Sequence, residues 1–146
     1  MRRTEDLLRL VADEGIELRF ASLAPYWYGL YIREPDLPAY ILLDRSLEHR
    51  QVPFRATLAE ELGHHFTTDG DWVRAASSSN ARVMQDKVEI RALRWAIDYM
   101  IDGHELLWAW RRYQNPWDVA DYFQVPMPWC LDKLQWMRGV SLSHIV

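Results

Sequence analysis

The stretch Ala59-Glu60-Glu61-Leu62-Gly63-His64-His65-Phe66 decides how this chain is interpreted. Glu60 and His64 stand at positions i and i+4, so on a helix their side chains share a face and can converge on one ion. Glu61 follows Glu60 directly, and a carboxylate beside a metal-ligand pair can take a proton from a water that the metal activates. The spacing predicts a metal helix with Glu60 and His64 as ligands and Glu61 as the general base.

Two other interpretations of this helix have to be weighed. The pair Glu61 and His65 has the same spacing, but the position of the base would then fall on Leu62, which has no proton chemistry. His65 is rotated by about 100° from its neighbour on a helix, so we expect it to make a structural hydrogen bond. A solvated acidic helix that ends in two histidines fits the same residues, and this segment alone does not decide against it.

Gly63 is a second observation within the predicted helix. A glycine there costs about 1 kcal/mol relative to alanine, so we expect another backbone or a substrate to approach closely. On the next long helix, Ala92 and Ala96 fall on one stripe, and small side chains on that stripe allow the two helices to pack closely.

Glu89 lies on the same stripe and is the candidate for a third ligand. A zinc site needs at least three protein ligands, and an acidic residue on a second helix can supply one. An exposed ion pair of Glu89 with Arg91 or Arg94 is equally compatible with the spacing.

Apolar periodicity and turn residues predict an α+β chain with an opening helix, a small three-stranded sheet, the metal-motif helix and C-terminal helices. The three strands are expected at Ile16 to Phe20, Trp27 to Ile32 and Ala39 to Leu43. The helices are expected at Thr4 to Glu14, Pro53 to Phe66, Ala81 to Ile101 with Asn80 as the N-cap, Leu106 to Tyr113, a short one from Pro116, and Trp129 to Met137.

Composition narrows the class of protein. A chain of 146 residues with 49% hydrophobic residues can bury one core. Its net charge of -4 disfavours a broad nucleic-acid-binding surface. The single cysteine, Cys130, fits a reducing compartment, and the N-terminus lacks the apolar stretch of a signal peptide. These features predict a cytoplasmic protein with no membrane segment.

The two motif helices together resemble those of the ImmA/IrrE metallopeptidases, which occur in prophages and mobile elements. That family carries a metal helix whose first ligand is a histidine, followed by a second helix with the pattern E-x-x-A-x-x-(W/F)-A, and Glu89 to Ala96 matches this second pattern. Leu58 to His65 is similar to the phrase L-A-E-E-L-G-H-(H/Y) of phage members with a glutamate-first motif. The likeness covers roughly Leu7 to Asp102.

This resemblance implies one compact zincin-like domain over residues 1–146, with a helical tail over about 104–146. It also implies a metallo-endopeptidase that cleaves a repressor of the helix-turn-helix type, with Glu60, His64 and Glu89 as metal ligands and Glu61 as the catalytic base. The expected ion is Zn²⁺, and the carboxylate in place of the first histidine favours a harder ion such as Mn²⁺. A site of lower net charge acidifies bound water less, so the alternative is a catalytically impaired member that binds a repressor or another phage protein.

The remaining candidates are assigned ordinary structural roles. His104 follows a glycine and is expected at a helix cap or on the surface rather than in a cleft as an oxyanion donor. Cys130 stands among apolar residues and is expected to be a packed thiol. Tyr26, Tyr28 and Tyr31 are expected in the core, as strand aromatics usually are.

In the tail, the residue pattern over Asp118 to Val125, together with the helix that follows, is similar to that of a helix-turn-helix motif. That second helix offers phosphate groups only Lys133 before Arg138, whereas a helix that reads DNA carries more Arg, Lys, Asn or Gln. We therefore expect the tail to pack or to dock a partner, and we do not expect it to bind DNA.

Overall fold

The computed structural model describes residues 1–68 and 79–138, and this part of the chain forms six α-helices and one three-stranded sheet. The strands are β1 (Glu17–Ala21), β2 (Gly29–Ile32) and β3 (Tyr40–Asp44), and a single 3-10 turn follows at Arg45–Leu47. The helices are α1 (Thr4–Asp13), α2 (Gln51–Thr67), α3 (Ser79–Met100), α4 (Gly103–Tyr113), α5 (Pro116–Phe123) and α6 (Met127–Arg138). The predicted α+β class is confirmed.

The predicted helix ends differ from the observed ones near glycine, asparagine and proline. α3 begins at Ser79, so Asn80 lies inside the helix rather than at its N-cap. Gly103 opens α4 because the Asp102 side chain accepts a hydrogen bond from the backbone of Glu105 and so caps the helix. Pro128 lies in the first turn of α6, where the missing N–H of proline does no harm. The sequence also predicts a turn over 67–71, from its Thr-Thr-Asp-Gly-Asp residues, and a polar stretch at 77–80, and both fall partly outside the described residues.

The sheet has the order β1-β3-β2, with β1 parallel and β2 antiparallel to the central strand β3. Ile41 and Leu43 of β3 are fully buried, and Tyr31 of β2 is almost so. These side chains face the helical layer, where α2 contacts both β2 and β3. Strand β2 is therefore the edge of the sheet that lies next to α2.

Helix α2 runs through the centre of the molecule and contacts α1, α3, β2 and β3. Apolar side chains on several of its sides are buried, among them Leu58, Ala59 and Leu62. A row of stacked rings joins its end to α3, with ring centroids 4.9 Å apart between Phe66 and Trp95. Because α2 is packed on several sides, its backbone is held in place, and so are the positions from which its polar side chains extend.

Among the residues that the structure describes, no helix has the length and apolar character that a membrane crossing requires.

Candidate metal centre

The candidate centre is built where α2 and α3 cross at Gly63. An ideal Cβ at this residue would lie 2.2 Å from the carbonyl oxygen of Ala92, which no real side chain tolerates. Ala92 and Ala96 of α3 are both buried. The predicted close approach of a second backbone at Gly63 is confirmed, and it brings the polar residues next to it against α3.

The crossing places His64 against Glu89. The imidazole of His64 is fully buried, and its Nε2 lies 3.2 Å from Oε2 of Glu89, whose side chain is 36% exposed. These two atoms belong to different helices, and the residues are far apart in the sequence. Two of the three predicted ligands therefore meet, while their role as ligands remains a prediction.

An open cleft lies beside this pair, and we call it the glutamate cleft. It has a volume of about 390 Å³. Its carboxylates come from α2 and α3: Glu60, Glu61, which is 2% exposed, and Glu89. Its other lining residues are Tyr26, Trp27, Tyr28, Gly29 and Thr57. The predicted general base and all three predicted ligands thus lie on the cleft or in contact with a residue that lines it.

The chemistry of these side chains suits a divalent cation, because carboxylate oxygens and imidazole nitrogen are ligands of both zinc and manganese. Their arrangement is less complete. Within residues 1–68 and 79–138, no three His, Cys, Asp or Glu side chains are grouped closely enough to hold a metal ion. His64 and Glu89 supply two adjacent donors, and a third donor has to come from a carboxylate such as Glu60 that moves toward them.

Gly29 is a part of the cleft that the sequence did not reveal. A Cβ at this position would lie 2.6 Å from Cγ2 of Thr57 and 2.9 Å from Oε1 of Glu61. Strand β2 therefore passes close to the predicted base, and a larger residue there would have to displace the side chains of Thr57 and Glu61. A glycine in a strand often marks such a close approach, and this was the one available signal.

His65 makes the structural hydrogen bonds that were expected of it. Its Nε2 lies 2.9 Å from Oε1 of Glu14, and its Nδ1 lies 2.7 Å from the hydroxyl of Tyr31. Because a carboxylate only accepts, Nε2–H donates to Glu14, and in the tautomer with its proton on Nε2 the Nδ1 atom accepts from the Tyr31 hydroxyl. Burial raises the pKa of Tyr31, which keeps that hydroxyl protonated. Both ring nitrogens are thus occupied by protein groups.

The other candidates divide into confirmed and wrong expectations. His104 is exposed in the first turn of α4, and Cys130 is a packed thiol with no exposed surface. Tyr31 is in the core, but the same expectation is wrong for Tyr26 and Tyr28, which are 93% and 49% exposed. The reason is that β2 begins only at Gly29, so these rings precede the strand and line the cleft instead.

No model of a known protein family matches the chain, and no curated protein matches it.

Proposed function

We propose that the protein is a zincin-like, metal-dependent endopeptidase. The observation that carries this proposal is the 3.2 Å contact between Nε2 of His64 and Oε2 of Glu89 across the α2–α3 crossing. An imidazole and a carboxylate from two helices, beside a cleft that already holds Glu61, are the groups that a metal-assisted hydrolysis requires.

Each residue has a distinct role in this proposal. Glu60, His64 and Glu89 would hold the ion, either Zn²⁺ or Mn²⁺, and the bound ion would polarise the scissile carbonyl and a water molecule. Glu61 takes a proton from the attacking water and delivers it to the leaving amine. Its carboxylate lines the glutamate cleft together with those of Glu60 and Glu89, and this position supports the role.

The proposed substrate is a segment of a repressor of the helix-turn-helix type, as the resemblance to ImmA/IrrE metallopeptidases implies. β2 lies at an edge of the sheet and borders the glutamate cleft, which supports binding of an extended peptide, since a strand at a sheet edge can pair with one. A cytoplasmic location and a prophage or mobile-element origin belong to the same proposal.

A second candidate function is a module that binds such a repressor without cutting it. It is favoured by the lack of any three-donor metal group among the described residues and by Glu60 at the position of a histidine. In this case the glutamate cleft holds the partner, and Glu61 has no proton to transfer.

One experiment separates the two functions. The purified protein is loaded with Zn²⁺ or Mn²⁺, its metal content is measured by mass spectrometry, and it is incubated with candidate repressors of the helix-turn-helix type. We expect the wild type to hold one ion and to cleave. Glu61→Gln should keep the metal and lose about 10³-fold in rate, whereas Glu89→Gln should lose the metal. Glu48→Gln, at an exposed position outside the cleft, is the matched control and should behave like the wild type.

Other results would point elsewhere. A metal-free wild type that binds the repressor equally well with and without Glu61→Gln identifies the binding module. A protein that neither cleaves nor binds the repressor contradicts both functions.

A further inference from the structure

Strand β2 lies along one row of side chains on helix α2. Gly29 and Tyr31 are two residues apart and share the buried face of the strand. A Cβ at Gly29 would meet the side chains of Thr57 and Glu61. The Tyr31 hydroxyl lies 2.7 Å from Nδ1 of His65. Thr57, Glu61 and His65 follow one another at intervals of four residues, so they share one side of the helix.

The two contacts fit a single register of the strand on the helix. Two residues of a strand span about 6.7 Å, and four residues of a helix span about 6 Å. Gly29 therefore lies at Glu61 while Tyr31 reaches His65, one helical turn further along α2. A shift of the strand by one residue would turn Tyr31 to the other face of the sheet. The register of β2 is thus coupled to the contact between Tyr31 and His65.

His65 is held firmly enough to define that register. Its Nε2 lies 2.9 Å from Oε1 of Glu14, and its side chain is 12% exposed. Burial raises the pKa of Tyr31 more than the nearby Arg33 lowers it, so the hydroxyl keeps its proton and can donate to Nδ1. A packing contact such as that at Gly29 lets two surfaces slide, whereas this hydrogen bond has a preferred distance and angle.

The register matters for the glutamate cleft because β2 and the turn before it form one wall of the cleft. The turn from Ala24 to Tyr28 is closed by a hydrogen bond of 3.0 Å from the Trp27 N–H to the Ala24 carbonyl, and it leads directly into β2. The rings of this turn and Gly29 of β2 line the cleft together with Glu61. A shift of the strand along α2 would move this wall relative to the Glu61 carboxylate.

We propose that His65 is a positioning residue for the proposed peptidase site. Through the hydroxyl of Tyr31 it sets the register of β2 on α2, and with it the position of the cleft wall relative to Glu61. In this role His65 touches neither the substrate nor the ion. The inference deepens the proposed function and rests on it for the effect on cleavage, whereas the hold on β2 can be measured without any cleavage.

Amide hydrogen exchange of the metal-free protein measures how firmly β2 is held. Tyr31→Phe keeps the buried ring and removes only the hydroxyl. We expect the amides of residues 29–32 to exchange about 10-fold faster in this variant, because the strand opens more readily, and the amides of β1 to stay unchanged. Tyr122→Phe is the matched control, since it removes a hydroxyl that donates to Glu105 at 3.0 Å on α5, and it should leave β2 unchanged.

Cleavage by the metal-loaded protein then tests the role of the register in the proposed function. A misplacement of about 1 Å can cost about 10²-fold in rate, and we expect Tyr31→Phe to lower kcat about 10-fold with KM and metal content unchanged. A purely structural effect would reduce the amount of folded protein instead, and Tyr122→Phe would show it equally. His65→Leu should match Tyr31→Phe, and the two substitutions together should add little, because the residues act as one unit.

The inference is overturned if exchange of residues 29–32 is unchanged in Tyr31→Phe, or if it changes equally in Tyr122→Phe. It is also overturned if the wild type cleaves and Tyr31→Phe has the same kcat. A wild type that does not cleave contradicts the proposed function alone, and the exchange experiment then decides the inference.

Discussion

The α2–α3 crossing and the turn from Ala24 to Tyr28 border the same cleft but are built in opposite ways. At the crossing, Gly63 lets two backbones touch, and His64 is fully buried beside it. In the turn, Tyr26 is 93% exposed on a backbone with positive φ. At the crossing, close packing holds the polar side chains next to Gly63 in place. The turn instead exposes an aromatic side chain to solvent, and its backbone conformation costs some energy.

Because of this difference, we expect substitutions in the two regions to affect different properties, namely stability and ligand binding. Substitutions at the crossing, and elsewhere in the packed helical layer, should lower the free energy of unfolding because no space is available for rearrangement. Substitutions in the turn should change ligand binding with little effect on stability. Measurements of unfolding therefore test whether the two regions are as different as the structure indicates.

The largest effect on stability is expected from Gly63→Ala. The added Cβ would lie 2.2 Å from the Ala92 carbonyl oxygen and 2.8 Å from its carbonyl carbon, both of them backbone atoms that cannot turn aside. We expect the free energy of unfolding to fall by about 3 kcal/mol, measured by urea denaturation. This loss should exceed the gain of about 1 kcal/mol from alanine's higher helix propensity.

Gly103→Ala is the matched control for this substitution. Its Cβ would meet only the end of the Met137 side chain, with the Cε atom at 3.2 Å, and a flexible thioether can move. This variant should stay within about 0.5 kcal/mol of the wild type. If Gly63→Ala is as stable as Gly103→Ala, the crossing is not closely packed.

The next largest effect is expected at the other end of α2, where Arg55 is buried with 1% exposure. Its guanidinium donates to the hydroxyl of Thr4 and to three backbone carbonyls, those of Arg2, Phe123 and Gln124. We expect Arg55→Met to lower the free energy of unfolding by about 2 kcal/mol, because these buried or partly buried acceptors lose their donor. Removing the charge offsets part of the loss.

Arg55→Lys tests whether the forked geometry matters. A lysine keeps the charge but cannot reach several acceptors from one plane, so its stability should lie between those of Arg55→Met and the wild type. A methionine variant as stable as the wild type would show that these hydrogen bonds add nothing to stability.

Much of this architecture could be predicted from the sequence because its signals are local. Helical periodicity and turn residues marked α1, α2 and the three strands to within a few positions. The contact at Gly63 was predictable for a physical reason, since glycine inside a helix is costly unless something approaches it. The small residues Ala92 and Ala96, on one side of the next long helix, indicated that this helix approaches Gly63.

The rest depends on contacts that no local pattern encodes. The central place of β3 in the sheet and the passage of Gly29 close to Glu61 follow from tertiary packing. The exposure of Tyr26 and Tyr28 depends on where β2 begins, and element ends are set by competing caps and turns. The position of Glu60 relative to the His64–Glu89 pair depends on side-chain rotamers, which the sequence does not specify.

A smaller effect, visible only at high pH, is expected from Cys130 in the interior of the helical layer. Burial raises the pKa of its thiol from 9.0 to about 12. Above about pH 9 the unfolded chain releases this proton while the folded protein keeps it, so stability falls with rising pH. Relative to Cys130→Ala, which lacks the thiol, the wild type should lose about 1.4 kcal/mol between pH 8 and pH 10. An unchanged difference between the two proteins at these pH values would mean that the thiol is not buried.

The smallest change in the free energy of unfolding is expected from substitutions in the turn. Whether this change is a gain or a loss tests directly whether the turn is strained while the crossing is closely packed. A non-glycine residue in the left-handed region costs about 1–2 kcal/mol, and glycine removes that cost while losing more backbone entropy on folding. We therefore expect Tyr26→Gly to raise the free energy of unfolding by about 0.5 kcal/mol, and Tyr26→Ala, which keeps the strain, to bring no gain. Denaturation curves of the two variants measure the difference directly. If glycine is no more stable than alanine at this position, the turn is not strained, and the exposed ring of Tyr26 costs the fold nothing.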